Sequence, residues 1–153
     1  MTLSIRQGFD EKTVIVTGCS LALKANGTLW SWGLGINGQL GSGSTANRTI
    51  PGQVGAATNW AKIIGGSSNS AAITTTGQLY GCGINAYGQL GIGATANQTS
   101  MVQVCTDTAF AMAAVGSGSL TAIRVDGSIW TAGATAGARL MEGGRDSRLI
   151  LPV

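Results

Sequence analysis

Displaced by 50 positions, this 153-residue sequence lies over itself without a gap. The stretch "NGTLWSWGLGINGQLGSGSTANRTIPGQV" begins at Asn26, "TGQLYGCGINAYGQLGIGATANQTSMVQV" at Thr76, and "DGSIWTAGATAGARLMEGGRDSRLILPV" at Asp126. Gly27, Gly77 and Gly127 coincide, as do Leu29, Leu79 and Ile129, then Trp30, Tyr80 and Trp130, then Gly33, Gly83 and Gly133. Gly38-Gln39-Leu40-Gly41 recurs as Gly88-Gln89-Leu90-Gly91 and decays in the third copy to Ala138-Arg139-Leu140-Met141. A period of this length marks a repeat architecture, in which each copy is one supersecondary unit that buries its apolar faces against its neighbours.

Upstream of each shared glycine, "VIVTGCSLALKANG", "IIGGSSNSAAITTTG" and "AVGSGSLTAIRVDG" each hold two short apolar runs that end in a turn. Asn26-Gly27 and Asp126-Gly127 are two-residue hairpin signals, and Thr76-Gly77 occupies the same place. Four strands per repeat follow. In the middle copy they are expected near residues 60–65, 69–75, 78–83 and 99–104, with a Gly-rich connection from 84 to 98. Residues 109–115 are helical by composition, but their register with 59–65 makes them strand. The expected class is all-β, built as three four-stranded propeller-type blades. A short segment 1–10 precedes repeats 11–54, 55–104 and 105–153, which together form one domain.

Residues 33–38, Gly-Leu-Gly-Ile-Asn-Gly, spell the glycine fingerprint of a dinucleotide-binding turn. That turn must open a helix and meet an acidic residue about 20 positions later. No helix signal follows, residues 53–58 read "QVGAAT", and Asn85 stands in the second copy where Gly35 stands in the first. The glycines are better explained by a tight loop with positive φ, and no cofactor is expected.

The unit Asn26-Gly27-Thr28-Leu29-Trp30-Ser31-Trp32-Gly33, then Gly38-Gln39-Leu40-Gly41-Ser42-Gly43, then Pro51 to Val54, resembles the repeats of the regulator of chromosome condensation family. The resemblance covers about residues 11 to 153. It implies a β-propeller, commonly of seven blades, used mostly as a binding platform. Members promote nucleotide exchange on a small GTPase, bind chromatin, or cap an enzyme as an inhibitor. The repeat motif carries none of these activities. The family's His before the second strand is replaced here by Cys19, Asn69 and Ser119, and the chain has no His.

Three blades are fewer than the four to eight that close a propeller. A blade of four short strands offers a face of roughly 350 Å², the size at which exposed apolar surface marks an interface. The expectation is therefore an incomplete propeller completed by other chains, either a second copy or a different protein. Residues 2–6, "TLSIR", overlap in register the closing strand of a preceding blade near 53–57. They either add to a neighbour's sheet or remain an edge.

Little chemistry is expected. Without His, a Ser or Cys nucleophile lacks its usual base. Cys19, Cys82 and Cys105 are dispersed and make no zinc site, and Cys82 falls at a packing position shared with Trp32 and Ala132. Asp126 is a turn former. No carboxylate spacing points to a hydrolase or a calcium loop, so no enzyme and no metal are expected. Trp30 and Trp32 lie two apart on one strand face, and with Tyr80 and Trp130 they read as blade-to-blade packing. Asn47 and Asn97, in the shared Thr-Ala-Asn, read as turn caps.

Tyr87 is unmatched between copies and is a candidate partner contact. Arg139, Arg145 and Arg148 cluster near the end; a net charge of +3 makes them a solvated face or a partner contact rather than a nucleic-acid site. No apolar run reaches the roughly 20 residues that cross a bilayer, and no leader pattern opens the chain. The leading function is a structural or interaction module of a large assembly such as a bacteriophage virion, as head decoration or tail-associated protein. The alternatives are a soluble regulator or inhibitor gripping one partner protein in the cytoplasm, and a glycan-binding platform.

Overall fold

The structure is a computed structural model that describes residues 14–16, 18–106 and 109–133. Among the described residues every element is a strand: β1 (Val14–Val16), β2 (Cys19–Leu23), β3 (Leu29–Gly33), β4 (Arg48–Gln53), β5 (Trp60–Gly65), β6 (Asn69–Thr74), β7 (Leu79–Gly83), β8 (Gln98–Gln103), β9 (Phe110–Val115), β10 (Ser119–Arg124) and β11 (Ile129–Gly133). They form antiparallel sheets in the orders β1-β2-β3-β4, β5-β6-β7-β8 and β11-β10-β9. These are propeller-type blades, as the 50-residue period predicts. The third copy's fourth strand, residues 2–6, and Arg139, Arg145 and Arg148 lie outside the described residues.

Register follows the repeat. Leu21↔Ser31 in the first blade corresponds to Ala71↔Gly81 in the second and Thr121↔Thr131 in the third. The first strands of successive blades, β1, β5 and β9, approach one another, so the blades converge on that side. There Lys62 Nζ donates to the Ala111 carbonyl across the boundary between the second and third blades.

The hairpins depart from expectation. In place of two-residue turns, each blade joins its second and third strands through a three-residue connection. Lys24 N donates to the Thr28 carbonyl at 3.0 Å, and Gly27 N donates to the Lys24 carbonyl at 2.9 Å. Thr74, Gln78 and Gly77 repeat this pattern, as do Arg124, Ser128 and Gly127. The physical reason is local. Asn26 Oδ1 accepts from Thr28 N at 3.2 Å, and Asp126 Oδ1 accepts from Ser128 N at 2.9 Å. Those side chains close a turn of their own, and the single residue that needs positive φ is the glycine, at +77° in Gly27.

Two cores lie between blades rather than within them. Leu21, Leu23, Leu29 and Val54 of the first blade meet Trp60, Ile63 and Ala72 of the second. Ala71, Ile73, Leu79 and Val104 of the second meet Phe110, Leu120 and Ala122 of the third. Strand alternation thus gives each blade a leading face toward the next repeat and a trailing face toward the previous one.

Candidate interaction surfaces

The Gly-Gln-Leu-Gly turn is an inter-blade latch. Gln39 folds its side chain back so that Oε1 accepts from Asn37 N at 2.9 Å, and Gln89 Oε1 accepts from Tyr87 N at the same distance. This shape delivers the Gln39 carbonyl to the second blade, where it accepts from Ser70 Oγ at 2.8 Å and Cys82 Sγ at 3.6 Å. The loop is held further by Gly43 N, which donates to the Thr99 carbonyl at 2.8 Å. Gly38 stands so close to the Gln98–Thr99 backbone that a side chain would strike it. The second copy leans on the third blade in the same way, where a Cβ at Gly91 would stand 3.0 Å from Ala132. Leu120 takes the place of Ser70 there, so that latch seats on an apolar surface.

Leu40 and Leu90 are fully buried beneath these turns, and Ser31 Oγ donates to the Leu40 carbonyl at 2.7 Å. Asn47 and Asn97 reach 12 residues back, accepting from Gly35 N and Asn85 N, each at 2.9 Å. The opposite end of each interface has a second tie. The Gly27 carbonyl accepts from Trp60 N at 3.1 Å, and the Gly77 carbonyl from Phe110 N at 2.9 Å. Sequence reasoning singled out the latch glycines but missed the acceptor role of the Gln39 carbonyl toward Ser70 and Cys82. The overlay places Ser20 where Ser70 stands, but Ser70 becomes Leu120 one repeat later, so the period alone does not single out the pairing.

The aromatic positions sit on trailing faces. Tyr80 packs edge-on to Trp60 with ring centroids 5.2 Å apart, and Trp130 edge-on to Phe110 at 6.2 Å. Trp30 and Trp32 share the first blade's trailing face and are half-buried. Lys24 Nζ lies 3.8 Å from the Trp30 ring centroid, and the Trp30 indole N–H donates to Thr28 Oγ1.

Leading faces differ sharply between copies. Leu29 is 0% exposed and Leu79 1%, both covered by the following blade, whereas Ile129 at the same position is 45% exposed. Met112, on the same sheet face, is 56% exposed. Gly33, Gly83 and Gly133 end their strands against the backbone of the neighbouring second strand. Tyr87 and Ile36 are exposed at the loop tips of the second and first blades. The Cys82 thiol is pushed up to about 12, and Cys19 is also raised, both chiefly by burial. The Asp126 carboxyl is held below its ordinary value by its hydrogen bonds from Ser128. Among the described residues, no three His, Cys, Asp or Glu side chains converge in a way that would hold a metal ion. No helix among them is long and apolar enough to cross a membrane.

Strand order, latch and repeat period together define a propeller of one repeat type. The profile described as "Regulator of chromosome condensation (RCC1) repeat" matches residues 26–73 and 76–123, and a second profile of the same description matches 61–89. The chain belongs to that family. Its fold is similar to human WBSCR16, with a TM-score of 0.73 and 23% identity over 83% of this chain and 34% of that one. It is also similar to Prp20p from Saccharomyces cerevisiae, solved in a study of its binding to Gsp1p and histones, with a TM-score of 0.68 and 22% identity over 79% of this chain and 32% of that one. Yeast RCC1 (Prp20), solved bound to Kap60, gives a TM-score of 0.69 and 22% identity over 79% and 31% of the respective chains. The sequence therefore spans about a third of the length of these structures.

Proposed function

We propose that this protein is a non-enzymatic interaction module that assembles through its blade faces, its repeats 11–54, 55–104 and 105–153 acting as one domain. The observation that carries this reading is Ile129. Its counterparts Leu29 and Leu79 are sealed by the next blade, and Ile129 is 45% exposed on the corresponding face of the third sheet. Two internal interfaces supply the template for what covers such a face: a sheet bearing an aromatic pair on its trailing side, as Trp60 with Tyr80 and Phe110 with Trp130. The partner is another blade-like sheet. The setting favoured is a large assembly such as a bacteriophage virion, which accords with the low charge and absence of His. Mass spectrometry of purified particles that failed to find the chain would remove that setting.

The test is sedimentation velocity on the purified protein and on Ile129→Glu. Association of the parent protein, lost in the variant with unchanged circular dichroism, is the expected result. A parent protein that runs as a monodisperse monomer overturns the reading. A second reading, a grip on one partner protein, is favoured by the exposed loop tips at Ile36 and Tyr87. The similar yeast protein's binding to Gsp1p, histones and Kap60 supports a protein partner in either case. A pull-down that recovers a stable complex, weakened by Tyr87→Ala, separates this reading from assembly through blade faces.

A further inference from the structure

We propose that the seam between the first and second blades is a binding site for an aromatic side chain presented by a peptide. A half-open cavity of about 330 Å³ lies there, walled by Val54, Trp60, Tyr80 and Met101, with Ser42 and Ser100 at its rim. The volume is that of a ligand pocket rather than a packing fault. The corresponding space between the second and third blades holds only about 20 Å³.

Five repeat positions line both spaces: Gly41 and Gly91, Val54 and Val104, Gly55 and Cys105, Trp60 and Phe110, Tyr80 and Trp130. Each interface carries one indole and one smaller ring, in exchanged places: Trp60 with Tyr80 in the first, Phe110 with Trp130 in the second. The first cavity is set beside two aromatic rings already packed edge-on, Trp60 and Tyr80, the arrangement that a third ring extends.

The rim selects the rest of the ligand. None of the lining residues is charged, and bare backbone is offered by Gly41, Gly43 and Gly55. A charged metabolite finds no counter-charge there, whereas the N–H and C=O groups of a peptide find neutral partners. This site is on the seam and not on the open faces, so it stands or falls separately from assembly.

The test uses the full chain, titrated with acetyl-Ala-Tyr-Ala-amide, acetyl-Ala-Ala-Ala-amide and maltose, and read by nuclear magnetic resonance shifts and calorimetry. Two blocking variants, Ala57→Trp and Ser100→Trp, change exposed lining residues, and circular dichroism of each checks that the fold is kept. Expected is saturable binding of the tyrosine peptide, at least tenfold weaker binding of the alanine peptide, and at least a tenfold loss in both variants with the spectrum otherwise unchanged. Equal binding of the two peptides, preference for the sugar, absence of saturation, or binding that survives both variants overturns the proposal.

Discussion

Ser70 donates its hydroxyl to the carbonyl of Gln39, 31 residues earlier, across the boundary between two blades. The bond is fully buried, and it joins the family's most recognisable turn to the middle of the next sheet. Ser70→Ala leaves that carbonyl with only the long thiol contact from Cys82. An under-satisfied buried acceptor costs about 1–3 kcal/mol, and each kcal/mol lowers the melting temperature of a chain this size by about 2–4 °C. Scanning calorimetry is expected to show a drop within that span. An unchanged melting temperature contradicts the latch.

Gly27 and Gly127 have nearly the same φ, +77° and +84°, in equivalent hairpins. A Cβ at Gly27 falls on the Thr58 carbonyl oxygen, whereas one at Gly127 meets nothing within 4 Å. Gly127→Ala therefore carries only the strain of a left-handed alanine, about 1 kcal/mol. Gly27→Ala adds displacement of the chain that enters the second blade, together with its bond from Trp60 N. Urea midpoints are expected to fall clearly further for Gly27→Ala than for Gly127→Ala.

Leu29, Leu79 and Ile129 make a matched set of leading-face positions. Truncation to alanine is expected to cost about 2–5 kcal/mol at Leu29 and Leu79, where a cavity opens inside an inter-blade core. At Ile129 the cost for the isolated chain is below about 1 kcal/mol, because water already reaches the side chain. Denaturant unfolding of the three variants reads the difference directly.

Cys82 supplies a pH dependence with a defined sign. Its folded pKa of about 12 stands above the ordinary 9.0, so between those values the folded chain binds more protons than the unfolded one. Stability from this group is fully present below pH 9 and is lost as pH rises toward 12. Cys82→Ala is expected to flatten the alkaline fall in stability relative to the parent protein. In the native state Cys82 is expected to resist thiol reagents at neutral pH and to react fully in denaturant.

The strand plan is legible in the amino-acid sequence because a gapless 50-residue overlay locates it three times. Even residues 109–115, whose composition suits a helix, fall into strand on register alone, and β9 runs Phe110–Val115. The two-residue hairpins do not follow, since Asn26 and Asp126 turn their side chains onto residues two further along. The candidate surfaces are less legible still. Repeat positions 30, 80 and 130 read as equivalent aromatics. Tyr80 and Trp130 pack onto inter-blade cores, while Trp30 lies on a trailing face with Lys24 above it.

Sequence alone determined the period, the strands and which residues share a face, because those follow from backbone hydrogen bonding and the twofold alternation of a strand. Only the tertiary structure decided which face meets the blade before and which the blade after. It also decided that the Gln39 carbonyl serves Ser70, that Ile129 is left open where Leu29 is sealed, and that the first seam holds a cavity of about 330 Å³ where the second holds about 20 Å³. Burial belongs to pairs of residues far apart in the chain. A repeated pattern states that a position is apolar, and only the packed neighbours determine what covers it.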